Sequence, residues 1–321
     1  MNVIKKTKFT PMSLMILCWG LVLILTAAAS ADAPKLAAIA SAAESSESAI
    51  QDLKIEYTCL RIPYGSKGRN LTRAEKAKMD KYPGWYKEEA GVWIQKGDKI
   101  KLERNYYFST SATDEITQTM CYDGSVTKVR EHSETRPDLG LVSKGRSHLF
   151  RRWFNPLLTF SATGDKKLSV ELGDIDTELV SGSHEVKGKS CQLIKVYKNK
   201  TPTSSLRSYK VYLDPKSNYA PVKIEKYWNN FRCLEQTVEV TELIKVGDIY
   251  LATKALYVNY NKPSRSDKSY PVSEQELTVT NVELNEGVAD SEFELTFSPG
   301  TRVWNSILAV GYKIPEEIPK P

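Results

Sequence analysis

The chain has 321 residues, 41% of them hydrophobic and 26% charged, with a formal net charge of +6. This is ordinary globular composition with enough apolar material for a sizeable core, in one large domain or two small ones. If Lys5, Lys6 and Lys8 leave with a leader the charge falls from +6 to +3, or +4 if Asp32 leaves too, so nucleic acid is not an expected partner.

The first segment does have the layout of a secretory leader. Lys5, Lys6 and Lys8 form a basic start, Met12 to Ala29 an apolar run, and Ala29-Ser30-Ala31 or Ala31-Asp32-Ala33 a small-residue cleavage site. Residues 1–33 are therefore expected to be a signal peptide, with an uncleaved anchor as the alternative, since the run is long enough to span a bilayer. Cys18 stands between Leu17 and Trp19 and does not look like a lipid-attachment cysteine. Beyond the leader are Cys59, Cys121, Cys191 and Cys233, which form either two disulfides of unknown pairing or buried thiols. No C-x-x-C supports a zinc ribbon or a redox site.

Leu36, Ile39, Ala43 and Ile50 recur at near-helical spacing, and the pattern turns to alternation at Ile55, Tyr57 and Cys59. This predicts one helix within 36–52 feeding a strand. Residues 63–90 break the rhythm: Pro63, Gly65, Gly68, Pro83 and Gly84 bracket the charged TRAEKAKMDKY, which suits a short exposed helix within a long excursion.

From Val92 the chain reads as short strands joined by tight turns. Hairpins are predicted at the Lys-Gly-Asp turn of VWIQKGDKIKLERNYYF, at Asp123-Gly124, at Asp214-Pro215 and at Gly247-Asp248. ELTVTNVEL adds a strand. Phe293, Leu295 and Phe297 then read as the inward row of a late strand that Pro299-Gly300 ends, with Val303 and Trp304 opening a short terminal element. Helices of the length that parallel crossovers need are missing between these strands, so the sheet is antiparallel. One middle segment, GRSHLFRRWFNPLLTF, gathers Leu149, Phe150, Trp153, Phe154, Leu157 and Leu158 among Arg146, Arg151 and Arg152, a short apolar helix that Asn155-Pro156 breaks. The reading adopted is a plug on the sheet; a surface for single-stranded nucleic acid or an anionic membrane is the alternative.

The motifs of common enzymes are absent: there is no G-x-S-x-G, P-loop or G-x-G-x-x-G. His132, His148 and His184 have no partners at metal-ligand spacing, and Asp174, Asp176 and Glu178 start a calcium-loop pattern that Leu179 breaks where glycine is needed. No catalytic residue, metal or cofactor is expected. An enzyme survives only as a cluster of His132, His184 and carboxylates that the sequence does not display. Asn70-Leu71-Thr72 and Asn199-Lys200-Thr201 fit the glycosylation sequon, of consequence only in a eukaryote.

The order of these pieces resembles the periplasmic lipoprotein carrier superfamily, the LolA/LolB-like group, over most of Pro34 to Val310. Gly91-Val92-Trp93-Ile94-Gln95-Lys96-Gly97 is similar to its G-x-L-W-V-K-R-P hairpin, and Tyr122-Asp123-Gly124-Ser125 to its D-G hairpin. The segment from Ser147 to Leu158 takes the place of its helical lid. Val211 to Pro215 with Pro221 to Ile224 resembles its "fLDp.tglPv.i" strand pair, and Asn281, Val282, Phe293, Leu295, Phe297, Pro299, Gly300 and Val303 resemble its closing motif.

The resemblance implies an α+β fold, an antiparallel open half-barrel wrapped around a few helices. Its groove would hold an acyl chain, a lipoprotein or another apolar ligand under a lid from residues 147–158. Trp93, Ile100, Leu102, Met120, Leu149, Phe150, Trp153 and Phe154 are the expected groove residues, and Lys96 stands where the family keeps its lid-holding arginine. The chain is then a larger relative, with an insertion at 63–90 and a Pro-rich tail at 311–321: a periplasmic, monomeric carrier with a membrane-associated partner. The alternative is an envelope structural or interaction module whose groove is permanently filled.

Overall fold

The structure is a computed structural model and describes residues 35–66, 70–146, 167–173, 176–197, 208–228, 231–261 and 268–316. The expected leader and the segment expected to form the lid, with Leu149, Phe150, Trp153 and Phe154, lie outside these residues.

Helix α1 covers residues 35–48. It ends short of the expected residue 52 because Asn285 takes over: its Oδ1 accepts from the Gln51 and Asp52 amides at 2.8 and 3.2 Å, while its Nδ2 donates to the Ala49 carbonyl at 2.8 Å. These bonds satisfy a helix end that has no partners of its own and let the strand start at Asp52. Helix α2 (Arg73–Lys81) is the exposed helix predicted inside the excursion, closed by a capping box between Thr72 and Glu75. Helix α3 (Leu168–Leu172) is a single turn.

The strands are β1 (Asp52–Pro63), β2 (Glu89–Lys96), β3 (Lys99–Tyr107), β4 (Glu115–Tyr122), β5 (Val126–Ser133), β6 (Arg136–Lys144), β7 (Thr177–Val186), β8 (Lys189–Tyr197), β9 (Ser208–Asp214), β10 (Ala220–Trp228), β11 (Cys233–Val246), β12 (Ile249–Asn261), β13 (Tyr270–Leu284), β14 (Arg302–Asn305) and β15 (Val310–Lys313). They form one sheet in the order β15-β14-β6-β5-β4-β3-β2-β1-β13-β12-β11-β10-β9-β8-β7. The four predicted hairpins are present, and each turn sits where the sequence sets it. The class is nevertheless largely β, a correction to the α+β expectation: fifteen strands outweigh three helices among the described residues, and β6, β7, β8 and β15 escaped the sequence reading. The tail expected from residue 311 opens within β15.

The sheet is open, with β15 and β7 as its edges. A sheet this wide has to curl or split, because the twist between neighbouring strands accumulates. Here one core joins inward side chains from both arms, Trp93, Leu102 and Met120 with Ile194, Tyr209 and Val211, to Ile39 and Ala43 of α1 and Leu168 and Leu172 of α3. Glu47 ties the two helices together, accepting from the Ser169 amide at 3.0 Å and from the Ser169 hydroxyl.

Residues 285–301 carry the chain from β13, in the middle of the sheet, to β14 beyond β6. This long crossover is why β14 pairs with β6 in parallel while every other pairing is antiparallel. The expected late strand over Phe293, Leu295 and Phe297 is corrected here: Asp290–Phe293 is a 3-10 turn and residues 294–298 form no ladder. The segment is a strap on the outer face. Lys96 and Lys99 reach Asp290 at 3.0 and 3.3 Å, Lys101 reaches Glu292 at 2.9 Å, Lys128 donates to the Leu295 carbonyl at 3.3 Å, and Phe297 lies over Gly140. Phe293 and Leu295 are buried all the same, which is why their spacing imitates a strand. The Pro299-Gly300 turn is present and Val303 and Trp304 belong to β14, both as read.

Candidate ligand groove

Cross-strand register turns the inward face into rows. One runs Ile55, Trp93, Leu102, Met120, Val129, Leu141 and Trp304 across β1 to β6 and on to β14. Its burial changes along the way: Trp93 and Met120 are 0% exposed, Val129 4% and Trp304 50%. The neighbouring row runs Arg104, Gln118, Glu131, Leu139 and Arg302, and Leu139 is 51% exposed.

Where both rows emerge they line a groove of about 680 Å³. Its floor is Val129, Leu139, Leu141 and Trp304, with Tyr312 beside them and Glu131, Arg302 and Lys313 at the margin. Side chains this apolar and this exposed, contiguous in a concavity, are the usual signature of a binding surface. β14 and β15 build the far wall, and the strap delivers them to the edge of β6.

The polar row leading to the groove is satisfied internally. Arg104 Nε donates to Gln118 at 2.9 Å, its guanidinium pairs with Glu89 at 3.4 Å, and Gln118 Nε2 donates to Glu131 at 2.5 Å. The Tyr106 hydroxyl also donates to Glu131, at 3.3 Å; burial first, then the Glu131 charge, pushes that phenol up to about 12. Burial likewise raises the Glu89 carboxyl, against the pull of Arg104. At the open end Arg302 has no ion-pair partner among the described residues, while Lys313 pairs with Glu316 at 2.5 Å.

Of the residues expected to line a groove, Trp93, Ile100, Leu102 and Met120 sit in the closed core against α1, on the inward face that runs on into the groove. Lys96 is on the outer face; it donates to the Val288 carbonyl at 2.8 Å as well as pairing with Asp290, so its described partners belong to the strap. Sequence reasoning passed over Leu139 and Leu141, although they alternate around Gly140. It read Trp304 as the start of a terminal element, without the parallel pairing that sets it beside Leu141.

The two described histidines, His132 and His184, do not come together. His132 bonds Asp138 at 2.7 Å on β5, whereas His184 is on β7 at the opposite edge of the sheet. No group of three or more His, Cys, Asp or Glu side chains able to hold a metal occurs among the described residues, and no described helix is long and apolar enough to cross a membrane. Cys59, Cys121 and Cys191 are thiols outside any disulfide.

No protein-family model and no curated protein matches the sequence. Among solved structures the chain is similar to a DUF1329 family protein from Desulfovibrio piger, at 14% identity and a TM-score of 0.42, over 80% of this chain and 96% of that one. It is also similar to the MucA/MucB complex structure of Pseudomonas aeruginosa, at 9% identity and a TM-score of 0.21, over 78% of this chain and 99% of that one. These are distant likenesses of fold and carry no functional argument, so the reading of function rests on the chain's own geometry.

Proposed function

We propose that the chain is an exported, periplasmic binding protein without enzymatic activity that holds an apolar ligand, an acyl chain or the acyl part of a lipoprotein, in the groove of Leu139, Leu141 and Trp304. The single observation that carries this is the exposure of Leu139 and Trp304, about half each, on the floor of one concavity of about 680 Å³. A fully buried methylene contributes about 0.8 kcal/mol, and an open groove returns only part of that, which suits a ligand that has to be released. On this reading residues 147–158, which follow β6, supply the lid, and the row from Trp93 to Met120 is the rigid floor against which the groove is built.

The test is native mass spectrometry after mild purification, together with titration of a fluorescent long-chain fatty acid. Co-purifying lipid or saturable fatty-acid binding is the expected result; absence of both overturns the proposal. One observation favours a second reading, the structural or interaction module: α1 already fills the middle of the concave face. That reading expects neither lipid nor fatty-acid binding.

A further inference from the structure

A second pocket, of about 240 Å³, adjoins the polar row at Glu89 and Tyr106 and shares no residue with the acyl groove. Its walls are Arg61 at the end of β1, Lys87 and Glu89 at the start of β2, Tyr107 and Phe108 at the end of β3, and Trp85 from the excursion between β1 and β2.

The walls are held in place independently of any ligand. The capping box starts α2, the Tyr82 amide closes on the Lys78 carbonyl at 3.0 Å, and the Tyr82 and Trp85 rings stack with centroids 4.5 Å apart. Gly84 packs so tightly on the Phe108 loop that a Cβ there would stand 1.9 Å from the Phe108 carbonyl oxygen, so only glycine lets the excursion close on β3. The loop in turn is anchored by Asp114, which accepts from Ser133 at 2.8 Å and Thr135 at 2.7 Å and pairs with Arg136, whose guanidinium sits 3.9 Å from the Phe108 ring centre.

Inside this rigid frame the charges do not balance. Arg61 is partly buried, its Nε is sealed from solvent without a hydrogen-bond acceptor, and no carboxylate pairs with it among the described residues. Among the described residues its guanidinium lies over the Trp85 ring, 5.6 Å away, and Lys87, whose side chain is exposed to water at the pocket mouth, lies over the Tyr107 ring at 5.7 Å. Rings offset part of the cost of removing a cation from water, but a guanidinium nitrogen sealed from solvent ordinarily has an anionic or carbonyl partner. The one carboxylate of the lining, Glu89, is engaged by Arg104.

We propose that this pocket is an anion site for a small carboxylate with a flat apolar body, the carboxylate against Arg61 and Lys87 and the body against Trp85, Tyr107 and Phe108. The planar guanidinium fork matches a carboxylate in a two-bond arrangement. Inorganic phosphate is a poorer fit because it has no flat apolar body to set against Trp85, Tyr107 and Phe108. The volume of about 240 Å³ has room for one ring with a short acid group.

Benzoate is a direct probe. Calorimetric titration of the full chain should show benzoate binding, with benzamide, its neutral equivalent in shape, and inorganic phosphate binding roughly tenfold more weakly or worse. Arg61→Met and, independently, Trp85→Ala should each lower benzoate affinity by roughly tenfold or more. Trp85 is 39% exposed, so its variant decides the matter even if Arg61→Met does not fold. No benzoate binding at millimolar concentration, equal binding of benzamide, tighter binding of phosphate, or unchanged affinity in Trp85→Ala overturns the proposal. Trp304→Ala, in the acyl groove, should leave benzoate binding unchanged, so failure of either site is read separately.

Discussion

At the scale of single residues, the cysteines illustrate how burial sets chemistry. Cys59 lies on the inward side of β1 near Glu89, and burial, reinforced by that carboxylate, pushes its thiol up to about 12. Cys121 lies on the outer side of β4 beneath the strap, where burial pushes it up to about 11 even with Lys101 nearby. Because the thiolate is the nucleophile, Cys121, buried on all sides, should behave as a small apolar group and resist alkylation. Titration with an aromatic disulfide reagent at pH 8 should find Cys121 unreactive in the native protein and fully reactive in denaturant, whereas Cys59, which is half-buried in the wall of the smaller pocket, is open to the reagent. Fast labelling of Cys121 below its raised value would show that the strap covering it opens.

At the scale of elements, the strap explains most of what is unusual in the topology. Four lysines of β2, β3 and β5 hold it through the Asp290 and Glu292 carboxylates and the Leu295 carbonyl, yet such exposed ion pairs contribute little each. Fit is the larger effect. Gly140 leaves room on β6 for Phe297 and Val303; a Cβ there would stand 2.8 and 2.9 Å from their side-chain carbons. Gly140→Ala should therefore destabilise the protein by about 1–3 kcal/mol through overpacking and loosen β14, since the strap, Phe297 and β14 are continuous in sequence. Thermal unfolding with limited proteolysis between residues 285 and 316 measures both effects, and an unchanged midpoint with no new cleavage would sink the account. This element also marks the limit of what sequence shows. Alternation at Phe293, Leu295 and Phe297 reports that one side of an extended chain is covered, and says nothing of whether a ladder or the face of a sheet covers it. Hairpins were legible because glycine and aspartate at the turns act within a few residues, whereas the crossover joins strands whose partners lie more than a hundred residues apart.

At the scale of the whole molecule, one inward row passes from core to groove without changing its chemistry. Trp93, Leu102 and Met120 were visible in the sequence as apolar positions facing inward. Where the cover from α1 stops is a property of the packed molecule, and that decides which end of the row is available to a ligand. The two ends should consequently respond to substitution in opposite ways. Met120→Ala removes a fully buried side chain and should cost about 2–5 kcal/mol of stability, with fatty-acid affinity measured below the unfolding range unchanged. Trp304→Gln alters a half-exposed ring and should leave the unfolding midpoint within error of the parent. It should weaken fatty-acid binding by about 2 kcal/mol, roughly thirtyfold, if a ligand covers the remaining half of a side chain that buries some 200 Å² in all. Leu139→Asn should act in the same direction on the neighbouring row. Should Met120→Ala abolish binding while Trp304→Gln leaves it intact, the ligand would lie under α1, the groove at β6 and β14 would be only an edge of the sheet, and α1 would have to move for the ligand to enter.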